Sequence, residues 1–182
     1  MRSARVLVVG LATVLVATAI VGAFSLVGGS DDGGGRAFYF SVASKNATGT
    51  GCFQGGCFIA MFGAGTFEGS DAEGTGVFSI STGLPPSSTN SVASGSWQAN
   101  KVISFTSYGV ANERSEGGLL VLNVILHFDG SGVVTSAALT ITCRVGSPPA
   151  TAKEGATLSA GSTFNFDTPV TGITTFSAPA ED

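Results

Sequence analysis

Charged side chains are scarce in this sequence, since only 11% of its 182 residues are Asp, Glu, Lys or Arg. The solvated faces of helices are normally rich in Lys, Glu and Arg, so this scarcity argues against a helical protein. The charges sum to −4, with only 8 Lys and Arg residues to neutralise nucleic-acid phosphates. We therefore expect no nucleic-acid partner.

Residues that carry catalysis or bind metals are also few. His127 is the single histidine, and the GxGxxG, P-loop, GxSxG, SxxK and HExxH motifs are all missing. The sequence contains 3 cysteines, and the spacing of Cys52 and Cys57, with a distant Cys143, does not match a zinc site. We expect no metal, no cofactor and no catalytic residue.

What the chain does contain is glycine and phenylalanine, at 27 and 13 residues, within a 43% hydrophobic composition. That hydrophobic content is too high for a disordered chain. A domain of roughly 150 residues buries about two thirds of its unfolded surface and needs neither a metal nor a disulfide to fold. The composition therefore predicts one folded domain with an N-terminal extension.

The N-terminal extension has the features of an export segment. Arg2 and Arg5 precede an uncharged apolar run from Val6 to Val27. Ala17-Thr18-Ala19 is an A-x-A cleavage site, and Gly22-Ala23 offers a second small-residue site. Left uncleaved, the run is long enough to cross about 30 Å of hydrocarbon as a helix. The arginines would then keep the N-terminus in the cytoplasm.

These features divide the chain into three parts. Residues 1–27 form one apolar helix that is either a signal peptide or an N-terminal membrane anchor, and both alternatives stay open. Residues 28–35 are a flexible Gly/Ser/Asp linker. Residues 36–182 form a single β domain that is secreted or held at the extracellular surface by residues 6–27.

Apolar alternation broken by Gly, Pro, Ser and Asn clusters predicts an all-β domain. The clearest element is a hairpin around the Asp129–Gly132 turn, with Leu122, Val124, Leu126 and Phe128 buried on one strand and Leu139, Ile141 and Cys143 on the next. We expect Trp97, Ile103 and Phe105 to join the same interior. Further strands are expected at Ala37–Ala43, Cys57–Glu68, Gly74–Ser81, Ser94–Tyr108, Ala156–Phe166 and Thr171–Phe176.

Successive hairpins without a helical crossover predict an antiparallel meander of roughly seven to nine strands. A glycine precedes an aromatic residue by two positions at Gly65/Phe67, Gly76/Phe78 and Gly95/Trp97. Glycine inside a strand costs stability, so its recurrence indicates either a neighbouring ring lying over bare backbone or sharp sheet curvature. Both favour a barrel, with a barrel-like sandwich as the alternative.

Three aromatic side chains are weak candidates for a ligand-binding site: Trp97, Tyr108 and His127. Core packing is the competing interpretation for Trp97 and Tyr108, and a solvated strand end for His127. Cys52 and Cys57 are candidates for a disulfide across a tight loop, with Cys143 as a buried free thiol.

Two further features concern surface loops. Asn46-Ala47-Thr48 is an N-glycosylation sequon. Glu113 and Glu116 flank Arg114 in a segment that we expect to be a solvated loop.

The sequence therefore predicts an exported, non-catalytic β-barrel domain. It would bind a small apolar molecule in the barrel mouth or act as a surface module. The membrane would be a partner only through an uncleaved N-terminal segment. The alternative is an enzyme that holds an apolar small molecule in the barrel lumen.

Overall fold

The computed structural model describes residues 35–46, 56–84 and 91–177. These residues fall in the compact unit Gly33–Asp182. The predicted N-terminal helix, its cleavage sites and the linker up to residue 34 lie outside the described residues. Among the described residues, no helix is long and apolar enough to cross a membrane.

The described chain is all-β and forms one antiparallel sheet of nine strands, as the sequence predicted. The strands are β1 Arg36–Lys45, β2 Phe58–Glu68, β3 Asp71–Ser81, β4 Ser91–Asn112, β5 Ser115–Phe128, β6 Val134–Cys143, β7 Gly155–Ser159, β8 Asn165–Phe166 and β9 Thr168–Phe176.

Each of the first seven strands pairs with the next one along the chain, and β9 returns to pair with β1. β9 also meets β5 at one register pair, Glu116 with Phe176. The order of strands is therefore partly ring-like, passing from β1 through β5 and back through β9. β6, β7 and β8 extend the sheet from β5.

Side chains complete the connection where β9 and β6 lie close but do not pair. The Thr174 hydroxyl donates to the carbonyl oxygen of Thr142 at 2.7 Å, and the Cys143 thiol donates to the carbonyl oxygen of Thr174 at 3.4 Å. Cys143 is a free, buried thiol, as the sequence predicted. On the other side, the Ser44 hydroxyl of β1 donates to the carbonyl oxygen of Ala156 on β7.

The predicted burial of the β5–β6 hairpin is confirmed except at Phe128, which lies at the end of β5 and is only half-buried. Leu122, Val124 and Leu126 are fully buried, as are Leu139 and Ile141 on the return strand. Period-2 alternation places these residues on one face because successive side chains of a strand point to opposite sides.

The prediction for Ile103 is wrong, since this side chain is 54% exposed. The register of β4 against β5 shifts between Ala99 and Lys101 and again between Val102 and Ser104. Each bulge inserts one residue and reverses the alternation. Two bulges restore it, so Trp97 is buried and Phe105 packs partly buried against the core, while Ile103 between them points outward.

Two strand boundaries also differ from the sequence prediction. Ala156–Phe166 is a small hairpin of β7 and β8 rather than one strand, because the chain turns at Gly161, where φ is +59° and a glycine is favoured. The segment around Arg114, predicted to be a solvated loop, is only a short turn, because β4 continues to Asn112 and β5 begins at Ser115.

The recurrent glycines lie beneath aromatic rings, which is one of the two explanations offered by the sequence. The register pairs Gly76 with Trp97, Phe78 with Gly95 and Phe38 with Gly65. A Cβ atom at Gly76 would lie 2.5 Å from Nε1 of Trp97, and one at Gly95 would lie 2.8 Å from Cζ of Phe78. Only bare backbone leaves room for these rings.

Candidate functional site

The side of the sheet that faces inward is filled with side chains along its length. One aromatic cluster lies where β1 starts and β9 ends, and the Phe38, Phe40 and Trp97 rings continue from it. A second cluster occupies the opposite end, where β3 ends and β4 starts. The first cluster consists of Phe67, Phe105 and Phe176, and the second of Phe78, Phe128, Phe164 and Phe166.

One acidic side chain points into this interior and was missed by the sequence analysis. Glu116 is 2% exposed, whereas the sequence predicted a solvated loop. Both of its oxygens are occupied, because Nε of Arg36 donates to Oε2 and the Ser107 hydroxyl donates to Oε1. The Arg36 guanidinium also lies 5.1 Å from the centre of the Phe105 ring. Glu116 therefore forms a structural ion pair with Arg36, beside the place where β5 and β9 meet.

The candidate ligand-binding residues do not come together. Trp97 is fully buried, and its Nε1 donates to the carbonyl oxygen of Phe62 at 3.2 Å. His127 is exposed near the end of β5, on the face away from the core. Tyr108 lies on β4, near the turn between β4 and β5 and far from His127. It is half-buried and lines a groove on the outer surface, which we call the outer groove.

The remaining candidates concern covalent modification. Asn46 is 2% exposed, and its backbone N–H donates to the carbonyl oxygen of Cys57 at 3.1 Å. The other two sequon residues lie outside the described residues. Cys57 is buried. Cys52 lies outside the described residues, so its disulfide to Cys57 stays a prediction.

The outer groove has a volume of about 410 Å³, which is within the range of small-molecule sites of about 300–1,000 Å³. Its floor is the outward face of β5, β6 and β7. The crossing segment, residues 144–154 between β6 and β7, forms one wall. Tyr108 forms another, and the β8–β9 connection forms a third. The lining residues are Tyr108, Leu119, Thr140, Thr142, Pro149, Thr151, Ala152, Lys153, Gly155, Thr157, Asp167 and Pro169.

A glycine lets the crossing segment pass close over β5. A Cβ atom at Gly117 would lie 1.9 Å from the carbonyl oxygen of Val145, so a larger residue would push the segment away. Ser147 then anchors the segment to β4, because its N–H donates to the carbonyl oxygen of Tyr108 at 2.7 Å.

Glu154 fixes the other end of the crossing segment. Its Oε2 accepts the N–H of Arg144 at 2.7 Å, and its Oε1 accepts the N–H of Thr174 at 3.1 Å. The Thr174 hydroxyl also lies against Oε1, and it shares its one proton between this oxygen and the carbonyl oxygen of Thr142. Hydrogen bonds to an ionised acceptor are stronger than those between neutral groups. One carboxylate thus ties both ends of the crossing segment to β9, and the wall of the groove is held in place.

The groove carries no recognisable catalytic constellation. Its charged members, Lys153 and Asp167, are exposed, and its other polar side chains are Tyr108 and threonines. Within the described part of the chain, no group of three or more His, Cys, Asp or Glu side chains is placed to hold a metal ion. The groove presents hydroxyl groups, apolar surface and one charge of each sign. Groups of this kind can bind a small molecule through hydrogen bonds and apolar contacts.

Comparisons of the chain with protein-family models, with curated proteins and with solved structures find no match.

Proposed function

We propose that the chain is an exported, non-catalytic β-barrel module that binds a small molecule on its outer surface. The observation that carries this proposal is the filled interior. Within the described residues, twelve large side chains, among them Trp97, Phe40, Phe166 and Phe176, are less than 2% exposed. A barrel enzyme or carrier that holds its ligand in the lumen needs open volume there.

The strand order supports a closed barrel. β4 pairs with both β3 and β5, and β9 pairs with β1 and reaches β5 at Glu116 and Phe176. Closure removes the free edges that make an open sheet prone to aggregation. The binding surface is then the outer groove, whose apolar members Leu119, Pro149 and Pro169 would contact an apolar part of the ligand.

Uptake of a neutral apolar dye tests the interior. Trp97 is the single tryptophan and lies inside the sheet, so its emission reports on any molecule that enters there. We expect titration with Nile red to leave the Trp97 emission unchanged. The Leu139→Ala variant titrated with benzene serves as the positive control, since an apolar cavity left by a large-to-small change holds a molecule of that size. One-to-one dye uptake that quenches Trp97 in the unchanged protein would contradict the proposal.

Export is proposed from Arg2, Arg5 and the apolar run Val6–Val27. We expect the mature protein recovered outside the cell to begin after Ala19 or Ala23, as read by N-terminal sequencing. A protein that starts at Met1 and sediments with membranes would support the anchor instead of cleavage. Retention of the full chain in the cytoplasm would contradict export altogether.

A further inference from the structure

Unpaired hydroxyl groups lie in a row on the floor of the outer groove. Thr140 of β6 pairs in register with Thr157 of β7, and Thr142 follows Thr140 on the same face. Cross-strand partners of this kind place their Cβ atoms about 4.5–5.5 Å apart. Within the described residues, the side-chain hydroxyls of these three threonines make no hydrogen bond. They can both donate to and accept from a ligand.

The walls add an aromatic ring and one charge of each sign. Tyr108 is half-buried and combines an apolar ring with a polar tip. Lys153 stands on the crossing segment and Asp167 on the β8–β9 connection, so the groove itself carries no net charge. A ligand that fits has hydroxyl groups on one side and an apolar face on another.

Other ligand classes fit this groove less well. A purely apolar molecule would bury the threonine hydroxyls without partners, which costs free energy. An anion would meet only one lysine, beside an aspartate, on a chain of net charge −4. We propose that the groove binds a neutral sugar ring, with its hydroxyls on Thr140 and Thr157 and its C–H face against Tyr108. This inference rests on the proposed function.

The test is a titration of the folded domain with D-glucose, D-galactose, D-mannose and N-acetyl-D-glucosamine, followed by backbone amide NMR. We expect at least one sugar to shift amides of residues 140–142, 151–157 and 108 and to leave the Trp97 side-chain N–H unmoved. Thr140→Val and Thr157→Val keep the side-chain shape and remove a hydroxyl. Each should weaken binding about three- to tenfold, the effect of losing one neutral hydrogen bond. Thr66→Val, on an exposed position of β2, is the matched control and should change nothing.

The outcomes separate this inference from the proposed function. If none of the sugars shifts groove amides, or if the valine variants bind as tightly as Thr66→Val, the sugar inference is overturned. If Nile red shifts the groove amides while the sugars do not, the groove binds a small molecule but of the apolar class. If a sugar instead perturbs Trp97, the filled interior and with it the proposed function are wrong.

Discussion

Replacing Trp97 with alanine is expected to lower the free energy of unfolding by about 3–5 kcal/mol, the usual cost of truncating a buried tryptophan. The side chain is fully buried and stacks on Phe40 with ring centres 5.6 Å apart. It also covers the bare backbone of Gly63 and Gly76. Urea unfolding followed by far-UV circular dichroism measures the loss, since the variant has no tryptophan to report it.

The control is Tyr39→Ala, which removes an aromatic ring from the opposite face of the same sheet. Tyr39 is 40% exposed and packs edge-on against Phe62, with ring centres 5.5 Å apart. An aromatic pair of this kind contributes about 0.5–1.5 kcal/mol, so the loss should stay in that range. Equal losses for the two variants would show that Trp97 is not packed over the glycines.

A double-mutant cycle tests the glycine contact directly. A Cβ atom at Gly63 would lie 2.0 Å from Cζ2 of Trp97, so Gly63→Ala must displace the ring in the unchanged protein. In the Trp97→Ala background the ring contact is gone and only the carbonyl oxygen of Thr75 stays close, at 2.9 Å, so the same change should cost less. We expect a coupling energy of about 0.5–3 kcal/mol between the two sites. Simple additivity would contradict the contact.

The hairpin of β5 and β6 could be predicted from sequence because its alternation is unbroken and the Asp129–Gly132 turn fixes its register. The glycine–aromatic spacing likewise pointed to rings over backbone, since residues two apart share a face. These signals are local. They depend on neighbouring positions of one strand and on one turn, which a single sequence displays.

Ile103 and Glu116 show what the sequence does not display. A bulge has no obligatory residue type, so nothing in the sequence marks the register shift between Ala99 and Lys101 that turns Ile103 outward. The charge of the buried Glu116 is paired with Arg36, which lies 80 positions away in the sequence. A pairing over such a distance depends on the closure of the whole sheet.

The outer groove could not be predicted from the sequence either, because its walls come from segments that are far apart in the chain. Tyr108 could be singled out as an aromatic residue, but its neighbours in the groove come from the crossing segment and from the β8–β9 connection. The crossing segment reaches Tyr108 by passing over Gly117, a contact between positions that no local pattern links. Threonines such as Thr140 and Thr157 carry no motif, since alternating threonines are common on any solvated strand face.

Leu139→Ala is expected to cost about 2–5 kcal/mol, the range for a leucine truncated in a packed core. Leu139 pairs with Leu122 on one side and Leu158 on the other, and all three are fully buried. The three leucines form a row across β5, β6 and β7. The two outer leucines are held by their own strands, so they cannot easily move into a cavity left at Leu139. Equilibrium unfolding in urea gives the value. Leu126→Ala, fully buried on β5, should fall in the same range.

Thr140→Ala is the control because it changes the next residue of the same strand on the opposite face. Thr140 lies on the floor of the outer groove and its hydroxyl bonds to nothing within the described residues, so its truncation should stay within about 0.5 kcal/mol. A larger loss of unfolding free energy for Thr140→Ala than for Leu139→Ala would mean that the buried and exposed faces of the sheet have been assigned the wrong way round. The face now assigned to the groove would then be the core, and any ligand would have to be sought among the aromatic side chains on the other side.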